Sequence, residues 1–317
     1  MTAGTDGYRA LREGVALLDL TGRGHIALTG EDRVRLMHAM STNHILELKP
    51  GGGCYAFLLS AQGRILADCN VLSREDALVL DTEPEVAARL AAHLDQYIIA
   101  DDCTVTDLTS SHVVFGVEGP EAANLLRKVT GTDPPEPQCW IPWQNGMIAA
   151  LSATGQPGFR IFGDAAEAQL IEGWWLGAGA IPATEDEVRI VRIENAHPRY
   201  GEDFSDHQIP HETQLLSAVH FSKGCYLGQE IVERVRSRGQ VNRKLVQLAV
   251  DSTEPLEPGT KLTLEGKDVG EVTSAALSPT TGKVVALGYL RSEVIARKVA
   301  VRAGAVLARA TDRVPTR

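Results

Sequence analysis

No two of the five cysteines, at positions 54, 69, 103, 139 and 225, form a Cys-x-x-Cys pair. An odd number without paired spacing fits free thiols in a reducing compartment. It also excludes a complete zinc or iron–sulfur ligand set of ordinary spacing. Basic residues are in deficit: 31 Lys and Arg against 41 Asp and Glu give a net charge of −10. That balance argues against general nucleic-acid binding, which needs a basic surface. No apolar run approaches membrane-spanning length, and Met1 to Val15 carries no apolar signal region. A cytoplasmic protein with no membrane or nucleic-acid partner is therefore expected. Several catalytic signatures are also missing. No Gly-x-Gly-x-x-Gly follows a strand, and there is no Gly-x-Ser-x-Gly elbow or His-Glu-x-x-His helix. The Gly51-Gly52-Gly53 run precedes a strand and reads as a turn after Pro50. His207 and His211 are four apart, but Pro210 between them breaks a helical ligand pair, so no metal is expected.

What is present is a core. Hydrophobic residues make up 44% of 317 residues, enough for two domains or three. The first two-thirds of the chain repeats one pattern four times: a strand, an acidic turn and a helix. His25–Leu28 leads through Thr29-Gly30-Glu31-Asp32 to Val34, Met37 and Met40 at helical spacing. Ala77–Leu80 leads through Asp81-Thr82-Glu83-Pro84 to Val86, Leu90, Leu94 and Ile98. Proline in a first helical turn is favourable, because its missing N–H would be unpaired there. The third unit is His112–Phe115 followed by Leu125, Leu126 and Val129; the fourth is Gly158–Phe162 followed by Ile171, Trp174 and Trp175. Units one and three are the most alike, which suggests a weak internal duplication. Further strands are expected at Tyr55–Leu59, Arg64–Leu72 and Met147–Leu151, with Ser60–Gly63 as a hairpin turn. Pro-rich residues 130–146 and irregular residues 195–216 read as long loops, which often line sites.

The texture changes after Arg243. Short strands are expected at Lys244–Val250, Lys261–Leu264, Gly270–Ser274, Val284–Tyr289 and Lys298–Val301. Their spacing indicates a small β-barrel or sandwich. The expected fold is α+β: a core of residues 1–241 in two related halves (approximately 1–110 and 111–241), then a barrel domain of residues 242–317. A doubly wound nucleotide fold competes, since strands and helices alternate, but it lacks its glycine fingerprint.

One stretch stands out chemically: Phe221-Ser222-Lys223-Gly224-Cys225-Tyr226-Leu227-Gly228-Gln229-Glu230. It places Cys225 between a lysine and the start of a short helix. A helix N-terminus and a nearby lysine both favour thiolate over thiol. A cysteine is otherwise a small buried hydrophobe, but these neighbours would make a poor core. Between Lys223 and Lys244 there are six positive residues (Lys223, Arg234, Arg236, Arg238, Arg243, Lys244) against two negative ones (Glu230, Glu233). This is either an anion site or a solvated helix face with pairs such as Glu230–Arg234. Asp68 falls on a strand suited to burial, where a carboxylate could orient a ligand nitrogen; a surface acid at a strand end is the alternative. Glu194 is ambiguous in the same way.

The run Lys223–Glu230 resembles the signature of the YgfZ family, which is similar to the T-protein of the glycine cleavage system, the tetrahydrofolate-dependent aminomethyltransferase. Leu28–Asp32, Ser41-Thr42-Asn43 and Gln62–Asp68 resemble the shared N-terminal pattern. Arg192-Ile193-Glu194, Pro198–Gly201 and Pro210-His211-Glu212 resemble the central one. The resemblance implies a T-protein-like folate-binding fold with tetrahydrofolate as cofactor. It also implies an accessory role in assembling or maintaining iron–sulfur enzymes, with those client enzymes or cluster carriers as partners. On this reading Cys225 and Lys223 are the reactive pair, and Tyr55, Asp68, Glu194, Tyr226, Gln229 and Arg234 are folate contacts. The alternatives are a tetrahydrofolate-dependent one-carbon transferase and a non-catalytic scaffold for iron–sulfur proteins. Two departures count against aminomethyl transfer. Ala67 replaces the first of the family's paired aspartates, and Thr154-Gly155-Gln156-Pro157-Gly158-Phe159-Arg160 has lost the acids of the matching T-protein segment.

Overall fold

A computed structural model describes residues 5–239 and 241–317. The first four residues of the N-terminal reading lie outside them. The fold is α+β. All four strand–turn–helix units form, two on each of two sheets. The first sheet has five antiparallel strands in the order Gly53–Leu59, Ile65–Ser73, Ala77–Thr82, Gly24–Thr29, Thr104–Asp107. The second has six, in the order Ile181–Ala183, Ala16–Asp19, His112–Glu118, Gly158–Asp164, Gly146–Ala149, Trp140–Trp143. Its strand Ala16–Asp19 comes from the start of the chain. It runs antiparallel to His112–Glu118 and parallel to Ile181–Ala183, with Ala16 opposite Ile181.

Helical periodicity buries the expected faces. Leu36, Met37 and Met40 of the helix Arg33–Met40 join Ile26, Leu28, Phe57 and Leu80 in one core. Leu90 and Leu94 of Ala87–Gln96 pack on the same core, and each contributes about 1.5–3 kcal/mol by leaving water. Trp175 of Ala168–Ala178 is fully buried among Val113, Phe115 and Ile161 in the second core.

Two local expectations are corrected, and one segment left open takes a definite form. Residues 130–146 are not all loop, because Trp140–Trp143 forms an edge strand against Gly146–Ala149. The segment ending in Glu194 is a helix, Glu185–Glu194, begun by a capping box. There the Thr184 side chain accepts from the Glu187 N–H, and the Glu187 carboxylate accepts from the Thr184 N–H. Lys298–Val301 is not a strand. Ser292–Arg297 is helical, Lys298 ends that helix in the left-handed region at φ 51°, and the strand starts only at Val301.

The last domain is a closed six-stranded barrel in the order Arg243–Val250, Lys283–Arg291, Lys267–Ser278, Lys261–Leu264, Val301–Ala303, Val306–Ala310. Pairing of Val306–Ala310 with Arg243–Val250 closes it and leaves no free sheet edge. Buried Asp203 ties the barrel to the core. It accepts from Arg192 on one side and from Thr273 and Ser274 on the other.

Candidate functional site

Strand pairing builds the site. Phe57 lies opposite Asp68 in the antiparallel pair, and Tyr55, two residues back, shares the face of Phe57. The Tyr55 hydroxyl thereby reaches Asp68 and donates to Oδ2 at 2.7 Å. A guanidinium nitrogen of Arg317 donates to the same oxygen at 3.0 Å and to Glu83 at 3.3 Å. That guanidinium lies 5.3 Å from the centre of the Tyr55 ring. Glu83 also pairs with Arg23 at 2.6 Å and Arg199 at 3.2 Å. Arg23 continues to Asp81 at 2.8 Å, and Asp81 is bonded in turn by Arg160 from the second sheet. An unbroken buried chain of charges thus crosses from one half of the core to the other.

Burial and charge drive the two carboxylates apart. Burial raises the Asp68 pKa, although Arg317 opposes the rise. Burial would also raise Glu83, but Arg23, Arg317 and Arg199 together hold it well below the usual carboxylate range. Glu83 is therefore a fixed anion, and Asp68 is the carboxyl that responds to what lies beside it.

Beside this chain is a cavity of about 530 Å³ between the halves. Such a volume suits a small organic ligand. Arg23, Glu83, Arg192, His197, Arg199 and Arg317 are among its walls. Buried His197 has no hydrogen-bond partner at either ring nitrogen. Burial, then Arg317, Arg192 and Arg160, keep its pKa well below the ordinary value, so it is neutral. A neutral imidazole offers one donor and one acceptor. Ala196 before it holds the left-handed region at φ 52°, an uncommon conformation for alanine. Oδ1 of Asp68 is likewise buried without a partner.

The Cys225 stretch lies elsewhere on the same sheet. Its backbone is stitched to the end of the helix Arg33–Met40 and the residues after it. The Leu227 N–H donates to Ala39, and the His220 N–H to Thr42. The Lys223 ammonium is buried and donates to the carbonyls of His38 (2.5 Å), Ser41 (2.6 Å) and Asn43 (2.9 Å). Three donors meet three acceptors, so none is left over for Cys225. Burial lowers the pKa of this amine to about 8. Cys225 itself is exposed. The helix Gln229–Arg238 starts four residues later, with Gly228 as its N-cap at φ 84°.

The expected site residues separate accordingly. Tyr55 and Asp68 come together. Glu194 does not join them, because its carboxylate accepts from Tyr8 at 2.9 Å and Ser278 at 2.6 Å and faces Arg12 at 3.7 Å. Tyr226 is buried in the first core, with its ring 4.9 Å from the Lys223 ammonium and its hydroxyl unpartnered. Gln229 is the first residue of its helix and half-buried. Arg234 is exposed and pairs with Glu230 one helical turn away at 2.5 Å. Arg236 pairs with Glu233 and Arg243 with Glu212, so much of the basic run is spent on local pairs. Sequence reasoning missed Glu83, His197 and Arg317. Glu83 reads as part of an acidic turn before Pro84, and nothing in the local pattern marks the other two. Among the described residues no group of three or more His, Cys, Asp or Glu is arranged to hold a metal ion. None of their helices is long and apolar enough to cross a membrane.

Comparison with known proteins places this geometry. Residues 2–223 match the GCVT N-terminal domain, and residues 243–315 match the glycine cleavage T-protein C-terminal barrel domain. An aminomethyltransferase of Rippkaea orientalis is 30% identical over 302 residues, covering 90% of this chain and 80% of its own. A putative chloroplastic transferase of Arabidopsis thaliana is 25% identical over 297 residues, covering 90% and 67%. The crystal structure of glycine cleavage system aminomethyltransferase T from Bartonella henselae superposes with a TM-score of 0.87 at 22% identity, over 98% of this chain and 90% of that one. The chain belongs to the glycine cleavage T-protein family.

Proposed function

We propose that this protein binds tetrahydrofolate in the cavity between its halves and serves as a YgfZ-type accessory factor for iron–sulfur enzymes through Cys225. The observation that carries folate binding is the Tyr55–Asp68 pair beside a cavity with orphaned polar atoms. Asp68 Oδ1 and both nitrogens of His197 are buried without partners, and a pterin has the donors and acceptors to meet them. Tyr55, Asp68, Glu83 and His197 would hold the ring. Folate, when bound, supplies a carrier for one-carbon groups. The proposed organisation is a folate-binding core of residues 1–241 and a barrel of residues 242–317.

The accessory reading is supported by Cys225, which is exposed on a rigidly docked loop rather than packed in a core. Arg160 supports it too. A buried arginine paired with Asp81 stands where the resembled T-protein pattern has an acid. The second reading is a tetrahydrofolate-dependent one-carbon transferase. The names of the relatives support that reading directly and say nothing of iron–sulfur clients.

Two experiments test these readings. Calorimetric titration with tetrahydrofolate should show binding that Asp68→Ala abolishes; no binding by the unaltered chain sinks the folate site. In a strain lacking the protein, Cys225→Ser should fail to restore iron–sulfur enzyme activity. Full restoration, together with turnover of a methylamine-type donor and tetrahydrofolate, would establish the transferase instead.

A further inference from the structure

Arg317 stands between the cavity and Asp68. Its side chain forms part of the cavity wall, whereas Asp68 lies behind it. We propose that Arg317 is an internal ligand of the Asp68–Glu83 carboxylate pair, and that folate reaches Asp68 only by displacing it. The proposal rests on the folate reading above and adds a competitor to it.

Chemistry supports the substitution. A guanidinium presents an N–C–N edge with donors on both nitrogens. The 2-aminopyrimidinone edge of a pterin presents the same N–C–N pattern, with donors at its ring N–H and its amino group. Arg317 also lies over the face of Tyr55, as a flat heterocycle would. Yet it fits the site incompletely. One nitrogen serves both carboxylates, Nε is buried without a partner, and Asp68 Oδ1 stays unbonded. A ligand with two donors in line can satisfy more of these atoms.

The tether is built to let go. The barrel closes at Ala310, and residues 311–317 form no helix or strand. Val314 is 55% exposed and Thr316 is exposed, Pro315 between them is buried, and the Arg317 side chain is 6% exposed, so the arginine reaches inward from a segment held by one buried ring. Beyond Arg313 the Thr316 N–H donates to the Ala196 carbonyl at 3.2 Å. Withdrawal therefore breaks no strand pairing. Ala196 adjoins His197, so the same release alters the cavity wall.

The test compares the unaltered chain with Arg317→Gln, using 5-formyltetrahydrofolate as probe. Calorimetry should find the variant binding roughly tenfold tighter or more, because the competing occupant is gone. In the unaltered chain, the amide of Thr316, bonded to Ala196, should exchange with deuterium faster when folate saturates the site. Affinity that is unchanged or weaker in the variant overturns the proposal, as does a segment that stays protected at saturation. If Arg317→Gln does not fold, the exchange measurement decides alone. Absence of binding by both folded chains overturns the folate reading itself, and this proposal with it.

Discussion

Cys54 and Tyr55 are neighbours in the chain and serve opposite faces of one sheet. Cys54 lies on the side of Lys223: burial pushes its thiol to about 12, and the lysine ammonium pulls the other way. Tyr55 turns to Asp68, which Arg317 separates from the cavity. One strand thus backs both the cysteine motif and the proposed folate site. A change in its position is felt at both.

Of the two glycines around Cys225, the fold requires only one. A Cβ on Gly228 would meet the Ser60 carbonyl at 2.6 Å and Leu59 at 2.9 Å, on top of its left-handed φ. A Cβ on Gly224 would find only His38, at 4.0 Å. Gly228→Ala should cost roughly 2 kcal/mol or more, and Gly224→Ala within about 0.5 kcal/mol. Urea unfolding of both variants checks this. Equal losses would show that the loop conformation rather than the docking contact sets the requirement.

Breaking the charge chain at the joint between the halves should be severe. Arg160→Met leaves Asp81 with Arg23 and Asn70 but without its partner from the second sheet. A loss of about 3–5 kcal/mol is expected for a fully buried pair broken on one side. Adding Asp81→Asn should recover part of it, so the double variant should be more stable than the sum of the singles. Additive losses in a denaturant series would rule out the coupling.

Acid should destabilise the protein before its carboxylates titrate. Burial, with help from His112, lowers His25 to about 4; burial, then Lys223, lowers His38 to about 4; burial, then Arg317, also holds His197 well below its ordinary value. A base depressed in the folded state takes up its proton first in the unfolded chain. Stability is thus retained above pH 6.5 and lost as pH falls toward 4. For well-buried His25 the loss is on the order of 3 kcal/mol at the low end. Melting temperature followed from pH 7 to pH 4 should fall, and His25→Gln should flatten the slope. A flat profile in the unaltered chain would contradict it.

Local patterns in the sequence revealed the elements they encode. Short apolar runs marked Tyr55–Leu59 and Arg64–Leu72, and Ser60–Gly63 has the residues of a tight turn, so that hairpin was legible with its Asp68. The helix Glu185–Glu194 could have been read from Thr184 and Glu187, three residues apart, but its apolar residues alone fit no single period. Arg317 and His197 carry no local signal. Their meaning comes from contacts with Asp68, Glu83 and Arg192, which sequence spacing does not contain. Glu194 shows the converse. It matches a family pattern by position, yet Tyr8 and Ser278 engage its carboxylate in this fold.

The strand Ala16–Asp19 has a consequence for synthesis. It is made early, but its two neighbours, His112–Glu118 and Ile181–Ala183, emerge much later. On the ribosome this apolar segment waits with both edges unpaired while the strands of the first sheet are made. Pairing that spans so much of the chain folds slowly, and an unpaired apolar strand is a ready site for misassociation or for a chaperone. The second sheet therefore cannot be completed until the chain has been made past Ala183.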